Sequence, residues 1–372
     1  MGAAHFLVTG AGLSGAVLAR ELAAAGHRVS VMEMRDHVAG NCHTRRDPQT
    51  GVLVHVYGPH IFHTDDARVW EYVNRFARFR PYRHRVLSTA AGRVYSMPLN
   101  LLTINQFFGT TLSPQAARAR ISGGAEKSAT RAPRTFEEQA LALMGRPLYE
   151  TFFKGYTEKQ WGCPADTLPA SILKRLPLRF DYNDSYFSQR FQGMPEEGYT
   201  EMVRRILDHP GITLYLNCRA KRHMAADFTH VFHSGPLDGW YGHDLGRLPY
   251  RTLEFQSFVH AGDFQGTPVM NYADSDIPYT RITEHKHFAP WEEHSASVVT
   301  LETPRAARPG DIPYYPVRLA REKHLLARYE ARARAERHVT FIGRLGTYRY
   351  LDMDRCIGES LALAETYRRV AA

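Results

Sequence analysis

Residues 5–34 read HFLVTGAGLSGAVLARELAAAGHRVSVMEM. The apolar run His5 to Thr9 reads as a strand. A glycine-rich turn follows and opens a segment with Val17, Leu18 and Leu22 at helical spacing, and Arg28 to Met34 then reads as a second strand. Each glycine of the turn has a physical task. Gly10 allows the tight turn, Gly12 lets backbone N–H groups beside Leu13 and Ser14 approach a pyrophosphate, and Gly15 lets helix and strand pack closely. Glu33, eighteen residues beyond Gly15 and next to Met34, is placed to accept hydrogen bonds from a ribose diol. The expected fold class is therefore α/β, with a Rossmann-like unit that binds an adenine dinucleotide.

That unit alone does not separate NAD from FAD. A second small-residue turn, Ala39 to Thr44 with Gly40 and Asn41, suits the longer flavin cofactor. Downstream, Val339 to Arg344 is another strand ending in glycine, followed by a segment through Met353 and Asp354 and an alanine-rich helical end. A C-terminal strand, turn and helix returning to the first unit favours FAD.

A different chemistry is concentrated in FFKGYTEKQWGCPADTLPASILKR, residues 152–175. Phe152, Phe153, Tyr156 and Trp161 offer flat faces for a base, and Lys154, Lys159, Lys174 and Arg175 offer cations for phosphates. Aromatic residues at helical spacing also build cores, so the segment by itself leaves both readings open.

Composition bounds the rest. The 372 residues, 44% hydrophobic, can bury more than one core. No apolar run reaches membrane-spanning length, no signal peptide is read, and a cytoplasmic enzyme without membrane insertion is expected. Cys42, Cys163, Cys218 and Cys356 form no CxxC pair and imply neither a disulfide framework nor a zinc site. His60 with His63, and His285 with His287, lack the carboxylate and cysteine pattern that would complete a metal site, so no metal is expected. The net charge of +9 raises nucleic acid as a partner. The basic stretches, Arg68 to Arg85 and Arg328 to Arg337, alternate with glutamate or apolar positions and read as solvated helix faces instead.

Along the chain, a discontinuous FAD-binding domain is expected from residues 1–82, 193–236 and 328–372. Residues 99–192 read as a helical domain with a polar connection from Ser122 to Pro133 and a mobile loop around Arg175, bracketed by Pro169 and Pro177. Residues 83–98, a hairpin turning at Ala91-Gly92, and 237–327, with strand-like runs TLEFQSFV, PVMNYAD, YTRITEHKHF and SVVTLE, read as an antiparallel sheet domain over the substrate.

The pieces GAGLSGAVLA, GNCHT, HVYGPHIFHT, SMPLNLLTINQFF, FFKGYTEKQWG, LPASILKRLPLRFDYNDSYF, FQGMPEEGYTEM, NYADSDIPYTRITEHKHF, YYPV and FIGRLGTYRYLDMD occur in this order. Together they resemble the prokaryotic UDP-galactopyranose mutases over nearly the whole chain. The resemblance implies an isomerase that interconverts UDP-galactopyranose and UDP-galactofuranose, or a closely related UDP-sugar. It implies reduced FAD as cofactor, flavin N5 bonding transiently to the sugar's C1, and a homodimer. It assigns uridine contacts to Phe152, Phe153, Tyr156 and Thr157, with Trp161 beside nucleotide and sugar. Arg175 and Arg281 match the two arginines that grip the diphosphate, and Tyr186, Tyr315 and Tyr350 the tyrosines that donate to it. Arg251, Asn271, Glu302 and Asp352 line the same cleft. Glu33, Met34, His60, Ile61, Arg344, Tyr350, Asp352 and Met353 fall on flavin positions, and His63 lies near the flavin face as a candidate catalytic group.

This chain has His84 where the family often has asparagine, and 239–248 is also atypical. An N-acetylated or deoxy sugar on UDP stays open. So does a second reaction class, an FAD-dependent oxidase of the amine-oxidase type, which would want an apolar amine cage and no anion grip. A third reading, a catalytically silent nucleotide-sugar binder, predicts affinity without turnover.

Overall fold

The structure is a computed structural model that describes residues 4–126, 132–175, 178–317 and 323–367. The opening βαβ unit forms as its pattern dictates: strand His5–Thr9, helix Leu13–Ala24 and strand Arg28–Met32. The second strand ends at Met32 rather than Met34, although the Glu33 amide still donates to the Tyr215 carbonyl (2.8 Å). All strands of the first sheet run parallel, in the order Ile212–Tyr215, Arg28–Met32, His5–Thr9, His230–His233, Val339–Phe341. Helix Leu13–Ala24 is buried along most of its length because Tyr199–Leu207 and Met353–Tyr367 both pack against it. The core here joins Phe6, Val8, Val17, Leu18, Leu22, Val31, Phe232, Ile357 and Leu361.

A second sheet of seven strands has the order Tyr315–Pro316, Tyr250–Ala261, Ala296–Ala306, Arg281–Glu284, Val269–Tyr272, Val86–Ala90, Arg93–Met97. The hairpin Val86–Met97 turns at Ala91 (φ 49°) and Gly92 (φ 71°), two consecutive positive φ values that match the strand twist. The expected all-antiparallel sheet is in fact mixed. Val269–Tyr272 pairs parallel to Val86–Ala90, which brings together segments some 180 residues apart. The run YTRITEHKHF is strand only over Arg281–Glu284. His285–Phe288 is a 3-10 turn that carries the buried His285 ring inward to Thr300, Nε2 to Oγ1 3.0 Å.

Helices Leu101–Phe108, Pro114–Gly124, Phe136–Tyr149 and Gly155–Trp161 follow the hairpin, the first packing on strand Arg93–Met97 and the last on Ala296–Ala306. Pro114–Gly124 takes in the start of the expected polar connection, whose residues 127–131 lie outside the described part. Thr135 and Glu138 close a capping box on Phe136–Tyr149. Glu150–Lys154 is a π turn that directs both Phe152 and Phe153 into the interior. A three-stranded sheet that sequence periodicity did not signal pairs Phe62–Thr64 and Phe79–Pro81 with Phe191–Pro195, and it sets the position of His63. Among the described residues, no helix is long and apolar enough to cross a membrane.

Candidate active site

At the C-terminal edge of the parallel sheet the glycine turn is packed without slack. A Cβ on Gly15 would stand 2.0 Å from the carbonyl oxygen of Gly10, and one on Gly10 (φ +98°) 2.2 Å from Ser234 Oγ. The Ala11 amide donates to Glu33 Oε2 (2.8 Å) and the Arg35 amide to Oε1 (2.9 Å), so the buried carboxylate staples the turn and still has lone pairs for a diol. Gly12 caps helix Leu13–Ala24 without a side chain, which leaves first-turn N–H groups for phosphate oxygens. The Gly40–Cys42 turn abuts this one, with a Gly40 Cβ position 3.2 Å from Gly12 Cα, and the Gly343 turn abuts Ser14. Three distant stretches thus converge on one point. Asn41 accepts from Arg35 (2.9 Å) and donates to the Pro313 carbonyl (3.4 Å), while Met34 is exposed. Arg344 donates twice to the Leu351 carbonyl and covers the Tyr350 ring at 4.5 Å, which folds the segment 344–351 over the site. Ile61 is buried and Met353 packs against the core. The His60 imidazole is pushed down to about 4 by burial and by the Arg344 charge, so it stands neutral.

Next to this lies a polar, aromatic cleft centred on Arg281. Its NH1 is 3.6 Å from Glu302 Oε2 and its NH2 donates to Tyr156 Oη at 3.4 Å. Burial works against its charge, but Glu302 and the phenols of Tyr156, Tyr315 and Tyr186 outweigh it and hold the guanidinium firmly protonated. Tyr315 stacks on Tyr350 (5.9 Å between centroids, 16°) and faces Trp161 at 6.5 Å. The Tyr186 hydroxyl is pushed up to about 12, first by burial, so it remains a hydrogen-bond donor. His63 stacks on Phe187 (3.8 Å, 19°), and burial lowers its pKa against the pull of Asp352, Asp354 and Asp65. His84 packs edge-on to Tyr186 (5.6 Å) and near Phe187, and burial followed by the charges of Arg281 and His63 lowers it to about 3. Several buried polar atoms here have no hydrogen-bond partner among the described residues: Arg281 Nε, Glu302 Oε1, Asn271 Oδ1 and His63 Nδ1. Unmatched buried atoms also occur elsewhere, at His27 and Trp240 for example, but here four of them gather around one charged, aromatic cleft, where a polar ligand can satisfy them.

Three candidates sit differently from the sequence expectation, and a fourth lies outside the described part. Phe152 packs edge-to-face on Tyr95 (4.9 Å) and against Phe107 (5.6 Å), as part of the helical core. Arg251 donates to the carbonyls of Gln160 (2.9 Å) and Lys159 (3.0 Å), so it caps helix Gly155–Trp161 from the strand side. Lys159 is not free for phosphate, since its ammonium lies among four backbone carbonyls. The side chain of Arg175 and residues 176–177, the centre of the expected mobile loop, lie outside the described part. Thr157 and Phe153 are buried next to the cleft helix. Phe187, which sets the His63 ring, was missed; the adjacent aromatic pair Tyr186-Phe187 was its only signal. The atypical 239–248 segment packs away from the cleft, where Tyr329 Oη accepts from the Leu245 amide and donates to the Gly246 carbonyl.

Two other features carry less chemistry. Ligand atoms of Asp263, Glu284 and His287 lie within 4.8 Å of one another. Lys286 pairs with Asp263, and Glu284 accepts the amides of Phe264, Gln265 and Gly266, so these carboxylates are already engaged. A cavity of about 640 Å³ between the Ala91-Gly92 turn and helix Gly155–Trp161 is lined by Glu150, Glu158, Asp274 and Asp276 against Lys154, a charge balance that repels a diphosphate.

The family profile described as UDP-galactopyranose mutase matches residues 151–350, and that of an NAD(P)-binding Rossmann-like domain matches residues 8–76. A probable UDP-galactopyranose mutase from Klebsiella pneumoniae is 54% identical over 363 residues, which are 98% of this chain and 94% of that one. The chain belongs to the UDP-galactopyranose mutase family. It is accordingly an FAD-dependent isomerase, and the mutase reading prevails over the oxidase alternative. A dTDP-fucopyranose mutase from Escherichia coli is 48% identical, covering 97% of each chain. The crystal structure of a reduced UDP-galactopyranose mutase matches at a TM-score of 0.76 and 14% identity, covering 98% of this chain and 95% of that one. A putrescine oxidase matches at 0.62 and 11%, with 99% of each chain covered. Both structural likenesses, at 14% and 11% identity, show the fold alone.

Proposed function

We propose that the chain interconverts UDP-galactopyranose and UDP-galactofuranose, with the nucleotide diphosphate held at Arg281. The observation that carries this is the guanidinium whose buried Nε has no partner among the described residues and whose other nitrogens face Glu302 and Tyr156 amid the phenols of Tyr186 and Tyr315. A fixed guanidinium with an open N–H among tyrosine hydroxyls suits a diphosphate, with Glu302 holding the cation in place.

When bound and reduced, FAD supplies a nucleophile for the anomeric carbon and is returned unchanged. The chain's residues do the rest. As the bond between C1 and the phosphate oxygen breaks, Arg281 balances the charge that grows on the leaving UDP, and Tyr186, Tyr315 and Tyr350 donate to its oxygens. Tyr156, Thr157 and Phe153 build the uridine end, with Phe152 backing them from the core and Trp161 at the junction to the sugar. Asn271 Oδ1, Glu302 Oε1 and His63 Nδ1 accept hydrogen bonds from sugar hydroxyls, which keeps C1 and the ring hydroxyls in place through the ring change. Arg251 contributes through the helix it caps. At the cofactor end, the first-turn amides after Gly12 take the pyrophosphate and Glu33 the ribose. The flavin unit is assigned to 1–82, 193–236 and 328–372, the helical domain to 99–192 and the sheet domain to 83–98 and 237–327. Four free thiols support a reducing compartment, the cytoplasm.

The test is a nucleotide-sugar panel assayed anaerobically with oxidised and with chemically reduced enzyme, reading pyranose and furanose products separately. Turnover of UDP-galactose by the reduced form alone, with no reductant consumed per product, is expected. Equal turnover in both redox states sinks the mechanism. A second reading, a dTDP-linked 6-deoxyhexose as substrate, is favoured by the 48% identical dTDP-fucopyranose mutase, and the same panel decides between them.

A further inference from the structure

Lys159 lies on the cleft helix Gly155–Trp161, yet its side chain addresses protein backbone. Nζ donates to the carbonyl oxygens of Tyr272 (2.9 Å), Asp274 (2.7 Å), Ile277 (2.9 Å) and Tyr279 (3.2 Å). An ammonium carries three protons, so four acceptors saturate it, with one proton shared. All four carbonyls belong to one turn of chain, residues 272–279, which leaves the strand Val269–Tyr272 and returns as Arg281–Glu284. The turn wraps the cation much as carbonyl oxygens wrap a bound metal ion. Burial lowers the amine to about 8, while Asp274 and Asp276 on the wrapped turn favour its charged form.

Other contacts fasten the same two elements. A Cβ on Gly155 would stand 2.5 Å from the Ala273 carbonyl oxygen, so helix and turn touch at the backbone. The Tyr272 and Tyr279 rings close the turn edge-to-face at 4.7 Å, and Arg251 holds the helix end by the carbonyls of Lys159 and Gln160. Substrate-facing groups flank every part of this clamp. Asn271 immediately precedes its first carbonyl, Arg281 follows two residues after its last, and Tyr156 lies one helical turn before Lys159. Arg281 and Tyr156 meet at 3.4 Å across the joint that Lys159 closes.

We infer that Lys159 is a positioning residue, whose ammonium bolts the turn 272–279 to helix Gly155–Trp161 and thereby sets Arg281 and Tyr156 at the spacing that grips a nucleoside diphosphate. The inference rests on the reading of Arg281 as the diphosphate contact. A lysine that merely stabilises the fold would, when replaced, lower the unfolding temperature and leave affinity for the diphosphate unchanged. A positioning lysine acts through Arg281, so its effect vanishes once Arg281 is gone.

The experiment is a double-mutant cycle on the oxidised holoenzyme, reading UDP affinity by calorimetry so that no turnover intervenes. Lys159→Met keeps the aliphatic stem and removes the charge. It is expected to weaken UDP binding about tenfold or more, whereas Lys159→Met combined with Arg281→Ala binds no more than about threefold weaker than Arg281→Ala alone. Gly155→Ala, which presses on the same joint from the helix side, is expected to reproduce the loss and keeps the test decisive if Lys159→Met sheds its flavin. With the reduced enzyme, the loss in Lys159→Met should appear in kcat as well as in KM, because Arg281 also balances the departing diphosphate. Wild-type affinity in both single variants, or multiplying losses in the double variant, overturns the inference while leaving the functional reading intact. A wild type that binds no UDP overturns the diphosphate reading itself, and this inference with it.

Discussion

Replacing Arg281 separates two roles that one side chain performs. Glu302 is 2% exposed, its Oε1 has no partner among the described residues and its Oε2 stands 3.6 Å from the Arg281 guanidinium. At an effective dielectric of about 20, unit charges at that 3.6 Å separation attract by about 4.6 kcal/mol. Arg281's side chain retains 24% of its exposure, which admits solvent screening. Arg281→Ala should therefore destabilise the fold by about 2–3 kcal/mol, because it leaves a buried carboxylate uncompensated. Separately, loss of a charge-assisted contact to the departing diphosphate should cost about 3 kcal/mol in the transition state, about a hundredfold in turnover. The two effects part company in Arg281→Ala with Glu302→Gln. Neutralising the orphaned carboxylate should bring urea stability back to within about 1 kcal/mol of wild type, whereas turnover of the reduced enzyme should stay about a hundredfold down. Denaturation followed by far-UV circular dichroism and anaerobic product chromatography measure the two quantities independently. If the double variant regains turnover along with stability, Arg281 acts only as the counter-ion of Glu302 and the diphosphate grip lies elsewhere.

Gly15→Ala should empty the protein of flavin, since its Cβ would stand 2.0 Å from the Gly10 carbonyl oxygen and the turn must open; the ratio of flavin to protein absorbance after purification reads this, and full occupancy would refute it. Acid should weaken the fold before any carboxylate titrates. Burial holds His84 and His285 at about 3 and His55 well below 6.5, so these rings are neutral when folded and take up protons on unfolding. Their contribution is complete above pH 6.5 and is lost as pH falls below it, by about 1.4 kcal/mol per pH unit for each ring. Urea midpoints at pH 7, 6 and 5 test this, with His285→Phe expected to flatten the slope; a level profile would count against it. Ala91→Gly should stabilise the hairpin by about 0.5–1 kcal/mol, because Ala91 holds φ at 49° where glycine is at ease, and an unchanged or lower unfolding temperature would show that its strain is relieved elsewhere.

Features closed within a few residues were legible in the chain. The glycine turn, its strand and helix, the acid at Glu33 and the Ala91-Gly92 hairpin each follow from steric rules acting over one or two turns of backbone. Residue types in the cleft could be named as well, through a family resemblance that supplied the partners local patterns lack. Which cation serves the ligand and which serves the fold was not legible. Lys159 and Arg281 are both basic residues beside aromatic ones, yet Lys159 is consumed by carbonyls 113 to 120 residues away while Arg281 keeps a buried nitrogen unmatched. The parallel joint between Val86–Ala90 and Val269–Tyr272, the π turn that turns Phe152 inward and the Phe187 ring on His63 are of the same kind. Sequence periodicity specifies which face of an element is apolar; the choice of what that face meets is made by burial competing across the whole chain, where every buried polar atom must find a partner or await a ligand. The βαβ unit and its cofactor chemistry were thus determined by the sequence alone, and the division of labour among the cleft's charges was decided only when the tertiary structure closed around them.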